Sequence, residues 1–95
     1  MVFQIFAREG CVNCAKAQQV LAHFGVEVKV RYVDGPAAIP ENLADLAWFD
    51  WTDTPPLVVV TEGDKVLQRW TGDEIANPSR SWYQTVEQWL ASWRS

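Results

Sequence analysis

Two cysteines three positions apart, Cys11 and Cys14, stand where an apolar run hands over to a helical pattern, and nothing else in the 95 residues restricts the fold as much. Upstream, Val2 to Ala7 is apolar apart from Gln4, the pattern of a central strand covered on both faces. Downstream, Cys14, Ala17, Leu21 and Phe24 recur at helical spacing and Val20 widens the stripe. Gly25 follows where a helix commonly ends in the left-handed conformation. The spacing predicts a first helix from Cys11 to Phe24. A cysteine at such a turn has its sulfur beside unpaired backbone N–H groups and the positive end of the helix dipole, which stabilise thiolate over thiol. Cys14 shares the inward stripe while Cys11 sits at the exposed terminus, so the sulfurs differ in access although they are near enough to bond. Arg8 and Lys16 add positive potential near Cys11, and Glu9 opposes them. Gly10 permits close backbone approach just before the pair.

The remaining pattern alternates between strand and helix. Val26, Val28, Val30 and Tyr32 alternate with Glu27, Lys29 and Arg31, the period of an edge strand with one solvated face. Asp34-Gly35-Pro36 breaks it. A short helix entered through Pro40 carries Leu43, Leu46, Ala47 and Trp48 on one side. Leu57-Val58-Val59-Val60 is apolar on both alternations, and Glu62-Gly63-Asp64-Lys65 turns it into Val66 to Trp70, a β-hairpin. Asn77-Pro78 supplies a cap and a first-turn proline for a last helix, with Trp82, Tyr83, Val86, Trp89, Leu90 and Trp93 on or beside its apolar stripe. The crossover rule makes the first two strands parallel neighbours.

A chain of this length supports one core, so a single domain over 1–95 is expected. Acidic residues outnumber basic ones 12 to 8 with no basic cluster, which argues against nucleic acid or anionic membrane as partners. No window is long and apolar enough to span a bilayer and the start lacks a secretory pattern. The expectation is a cytoplasmic protein, where a close cysteine pair is catalytic, redox-sensing or metal-binding rather than a scaffold.

Strand, Cys11-Val12-Asn13-Cys14, helix, and Thr54-Pro55 ahead of the Leu57 strand together resemble the thioredoxin superfamily over essentially the whole chain. Within it, Cys-Val-Asn-Cys is similar to the active site of the glutaredoxin-like redoxins that serve ribonucleotide reductase, and Arg69-Trp70-Thr71-Gly72 resembles their tryptophan and glycine after the fourth strand. Asp53-Thr54-Pro55 and Gly72-Asp73-Glu74 stand where glutaredoxins carry Thr-Val-Pro and a double glycine before acidic residues. The resemblance implies a cis-proline facing the active-site disulfide, with Pro55 as its counterpart; the adjacent Pro56 leaves two peptide bonds open to that role. It also implies a protein disulfide as substrate, and a reductase of the thioredoxin reductase type or glutathione as electron donor.

The expected fold is therefore α/β and thioredoxin-like, βαβαββα, with a four-stranded mixed sheet in order 2-1-3-4. The first and third helices lie on one face and the second on the other. The expected activity is thiol-disulfide exchange: Cys11 is the nucleophile, Cys14 the resolving thiol, and Thr54 and Pro55 present backbone to the substrate. Arg8, Trp51, Gly72 and Asp73 complete the candidate substrate site. Trp48, Phe49 and Trp51 crowd the segment leading to Pro55, where they serve either as a partner-docking rim or as caps of the second helix against the sheet. No cofactor and no metal are expected, and the protein should act as a monomer. A metal would need further ligands, and only His23, near the far end of the helix, is on offer. The competing class is a non-enzymatic thioredoxin-fold binding module, or a dimer sharing a metal or iron–sulfur cluster through its cysteines.

Overall fold

The computed structural model describes residues 1–49 and 56–94. Its elements run β1 (Val2–Ala7), α1 (Val12–His23), β2 (Val28–Tyr32), α2 (Pro40–Phe49), β3 (Leu57–Glu62), β4 (Lys65–Trp70), α3 (Gly72–Ala76) and α4 (Trp82–Arg94). The four strands form one sheet in the order β2-β1-β3-β4. β1 pairs with β2 in parallel, from Phe3 opposite Val28 to Ala7 opposite Tyr32. It pairs with β3 antiparallel, from Val2 opposite Thr61 to Phe6 opposite Leu57. The two nearly continuous apolar runs are thus the central strands, as burial on both faces requires. The β3–β4 hairpin turns at Gly63, whose φ of +58° is the left-handed backbone such tight turns need.

α1, α3 and α4 cover one face of the sheet. Phe3, Ile5, Ala7, Val58, Val60 and Trp70 from the strands meet Ala17, Leu21, Ile75, Trp82, Val86 and Leu90 in the main core. On the other face, Leu46 of α2 packs on Phe6, Leu57 and Val59. α1 and α4 are also joined at their surface, where the Tyr83 hydroxyl lies 2.8 Å from His23 Nε2 and Tyr83 stacks on Phe24.

Several sequence expectations need correction. A short helix, α3, follows the fourth strand where none was expected. The last helix begins at Trp82 rather than at Pro78 behind an Asn77 cap, with Ser81 Oγ accepting the Gln84 N–H at 3.3 Å. Leu43 and Trp48 do not face inward; Trp48 is 84% exposed, because the inner side of α2 is given to Leu46 and the polar Asn42. Arg31, expected on a solvated face, is buried beneath α2. Trp93, at the end of the stripe, is half exposed and stacks on Trp89.

Candidate active site

The sequence between β1 and α1 builds the site. Gly10 takes φ +70°, a conformation that glycine adopts without strain, and so turns the chain from the end of the strand into the helix. Cys11 is the N-cap: its backbone is extended, and its Sγ accepts the Cys14 N–H at 3.1 Å. Its carbonyl accepts the Ala15 N–H at 3.2 Å, the first bond of the helix. Cys11 thus does with sulfur what serine or aspartate does with oxygen at most helix starts. No acidic residue stands in the first turn of α1, so the positive end of the helix is left for the sulfur.

Cys11 and Cys14 are joined as a disulfide with Cα atoms 5.2 Å apart. The pair is asymmetric. Cys14 is 2% exposed and belongs to the main core, whereas Cys11 is half-buried at its edge. A groove of about 330 Å³ runs alongside, lined by both cysteines together with Arg8, Gly10, Val12, Ala15, Gln18 and Tyr32. Glu9 is not among the lining residues: its N–H donates to Asp34 Oδ1 at 2.9 Å, and its side chain lies over Gly35, where any Cβ would strike it. The acidic neighbour is thereby held at the Asp34–Gly35 turn, while the basic Arg8 lines the same groove as the cysteines.

The structure therefore brings Arg8, Cys11 and Cys14 together around one groove. Gly72 is buried and Asp73 exposed at the start of α3, which packs against α1. Trp51, Thr54 and Pro55 lie outside the described residues. Trp48, at 84% exposure, does not cap α2 against the sheet. Sequence reasoning missed Ala15, Gln18 and Tyr32 as groove residues. Cys11, Ala15 and Gln18 fall at i, i+4 and i+7, so helical spacing from the nucleophile was the available signal.

A protein-family model described as Glutaredoxin matches residues 3–64, which holds β1, the cysteine pair, α1, β2, α2 and β3. The chain belongs to the glutaredoxin family. With its Cys-x-x-Cys disulfide at the head of α1, this member of the family is a thiol-disulfide oxidoreductase. Among solved structures the chain is similar to thioredoxin 1 from the thermophilic eubacterium Thermosipho africanus TCF52B, at 19% identity and TM-score 0.61 over 100% of both chains. That likeness is one of fold. No curated protein matches the chain. Among the described residues, no group of three or more His, Cys, Asp or Glu side chains could hold a metal ion, and no helix is long and apolar enough to cross a membrane.

Proposed function

We propose that this glutaredoxin-family protein passes two electrons to disulfides of protein substrates through a relay in which Cys11 attacks and Cys14 resolves. The observation that carries the assignment is the asymmetry of the pair: both cysteines line the groove, but Cys11 is half-buried at the helix terminus while Cys14 is 2% exposed and part of the main core. In the reduced protein the Cys11 thiolate attacks one sulfur of the substrate disulfide; a mixed disulfide forms and the other substrate sulfur leaves as a thiolate that takes a proton from solvent. Cys14, once deprotonated, attacks Cys11 Sγ. The second substrate thiolate departs and the Cys11–Cys14 disulfide is left, the form described above. The N–H groups at the head of α1 favour the thiolate at each stage where Cys11 carries charge.

Thr54 and Pro55 present backbone to the substrate, with Thr54 offering main-chain hydrogen bonds as in strand addition. Arg8 faces the substrate across the groove, Trp51 forms part of the docking rim, and Gly72 and Asp73 meet the substrate or its electron donor from α3. The oxidised pair is returned to dithiol by a reductase of the thioredoxin reductase type or by glutathione. The relay is intramolecular and needs one copy of the chain, so the protein works as a monomer, in the cytoplasm, where reductants keep the pair supplied.

NADPH consumption with a disulfide-bonded protein, coupled either to thioredoxin reductase or to glutathione and its reductase, tests the assignment. Activity is expected in one system and should fall to background in Cys11→Ser. Cys14→Ser should accumulate a mixed disulfide visible on a non-reducing gel. Turnover that survives Cys11→Ser, or silence in both systems, would overturn it.

A further inference from the structure

The exchange chemistry uses only one edge of the groove beside the redox pair. The remainder is walled by Ala15 and Gln18 of α1 and by Tyr32 at the end of β2, with Val12 at the rim, and its surface is mainly apolar. At about 330 Å³ it stands at the small end of ligand pockets, a size for one or two side chains rather than for a cofactor. Its floor is fixed. Tyr32 pairs with Ala7 in the sheet, packs against the main core, and has its carbonyl held by Asn42 Nδ2 at 2.8 Å. The groove is also continuous with the reacting atoms, since Cys11 and Cys14 are part of its lining.

We infer that this groove is a specificity subsite for an apolar side chain, of leucine to phenylalanine size, next to the attacked cysteine of a polypeptide disulfide. The inference rests on the dithiol relay proposed above. Attack on sulfur brings the substrate cysteine to within about 3–3.5 Å of Cys11 Sγ. The neighbouring residue of an extended chain lies only about 3.8 Å further on, Cα to Cα. Its side chain therefore reaches a groove that begins at Cys11. Arg8 is among the lining residues, but the other walls offer mostly carbon, so a charged neighbour seated against them would leave water without a partner, which disfavours it. An apolar neighbour leaves water at no such cost, and Gln18 remains available to hydrogen-bond the substrate backbone.

Single-turnover reduction of three peptide disulfides of equal length, with Leu, Gly or Asp beside the cysteine, tests this on the fully reduced protein. The leucine peptide should react roughly tenfold faster than the glycine peptide, the discrimination one apolar group confers in a pocket. Ala15→Leu fills the groove from an exposed helical position without harming helix propensity. In that variant the Leu-to-Gly ratio should fall below about twofold. Because the ratio is taken within one protein, any change in the sulfur chemistry common to both peptides cancels. Equal rates for Leu and Gly in the wild type, a faster Asp peptide, or a ratio unchanged in Ala15→Leu would overturn the subsite and leave the relay standing. Failure to reduce any of the three peptides would overturn the relay itself.

Discussion

Arg31, 5% exposed, lies beneath α2 with its guanidinium carbon 5.0 Å from the centre of the Phe6 ring. Its Nε donates to Asn42 Oδ1 at 2.9 Å, Nη1 to Gln4 Oε1 at 3.0 Å, and Nη2 to Asp45 Oδ2 at 2.6 Å. Gln4 in turn donates to Thr61 Oγ1 at 2.9 Å, so one fork ties α2 to three strands. Arg31→Met keeps the volume and the contact with Phe6 but removes every donor, leaving the buried Asn42 carbonyl without one. Asp45 is different: its side chain is 39% exposed and rehydrates. The cost should accordingly be about 2–3 kcal/mol, below the 3–5 of a fully buried pair, lowering the melting temperature by roughly 10–20 °C. Arg31→Lys should recover only part of it, since an ammonium cannot reproduce the planar fork. A change within about 0.5 kcal/mol for Arg31→Met, the range of an ordinary surface substitution, would show the network to be energetically idle. The alternation of Val28, Val30 and Tyr32 assigned Arg31 to solvent because period-two reasoning supposes one dry face. At this end of β2 both faces are covered, one by α1 and the other by α2. The polar break at Gln4 in an otherwise apolar strand was the visible trace of the network, and only its partners across the sheet give it meaning.

Among the elements, α3 is the one that hydrophobic periodicity cannot find, because five residues span little more than one turn. Its start was nevertheless written in Thr71-Gly72-Asp73-Glu74. The Glu74 N–H donates to Thr71 Oγ1 at 3.4 Å, and Glu74 Oε1 accepts the Thr71 N–H at 3.2 Å, a reciprocal capping box. The helix sets Ile75 fully into the main core and packs against α1, with Gly72 buried and Asp73 exposed at its start. Thr71→Ala should cost about 1 kcal/mol, or roughly 4–8 °C in melting temperature, whereas Thr71→Ser should stay close to wild type; an alanine variant that melts with the wild type would show the cap to be dispensable. Asn77-Pro78 misplaced the next helix for a related reason. Asn77 Oδ1 accepts the Ser79 N–H at 2.8 Å, so the residue closes a turn instead of opening a helix, a choice its side chain makes equally well from local sequence. The first strand, first helix and hairpin were legible because long apolar patterns dictated them. The cysteine pair was legible because a strand-to-helix turn gives its sulfurs a purpose. Tyr32 and Gln18 were not, since a groove arises only when the end of β2 is brought beside α1.

The whole molecule is divided by its sheet into two cores of unequal size. The face under α1, α3 and α4 gathers side chains from four strands and helices on every side, among them Phe3, Ile5, Leu21, Val60, Trp70, Trp82 and Val86. Among the described residues, the apolar cluster on the other face is Phe6, Leu46, Leu57 and Val59 with Val33 packed against it, and the Arg31 network also ties α2 to the sheet. Truncating a leucine loses the same transfer free energy on either side, plus a cavity whose cost depends on how far the neighbours can close it. Leu21 is fully buried and enclosed by fixed elements; Leu46 lies near solvent under a helix that can settle. Leu21→Ala should therefore cost roughly 4–5 kcal/mol and Leu46→Ala roughly 2–3, read from urea midpoints at unchanged m-value. The same asymmetry determines which element opens first. Amides of α2 should exchange through local openings cheaper than global unfolding, while those of β1 and β3 should wait for the whole molecule to unfold. Equal costs at the two leucines, with α2 amides protected as well as those of β1, would mean that a polar network beneath one helix holds it as firmly as the larger apolar core holds the other three.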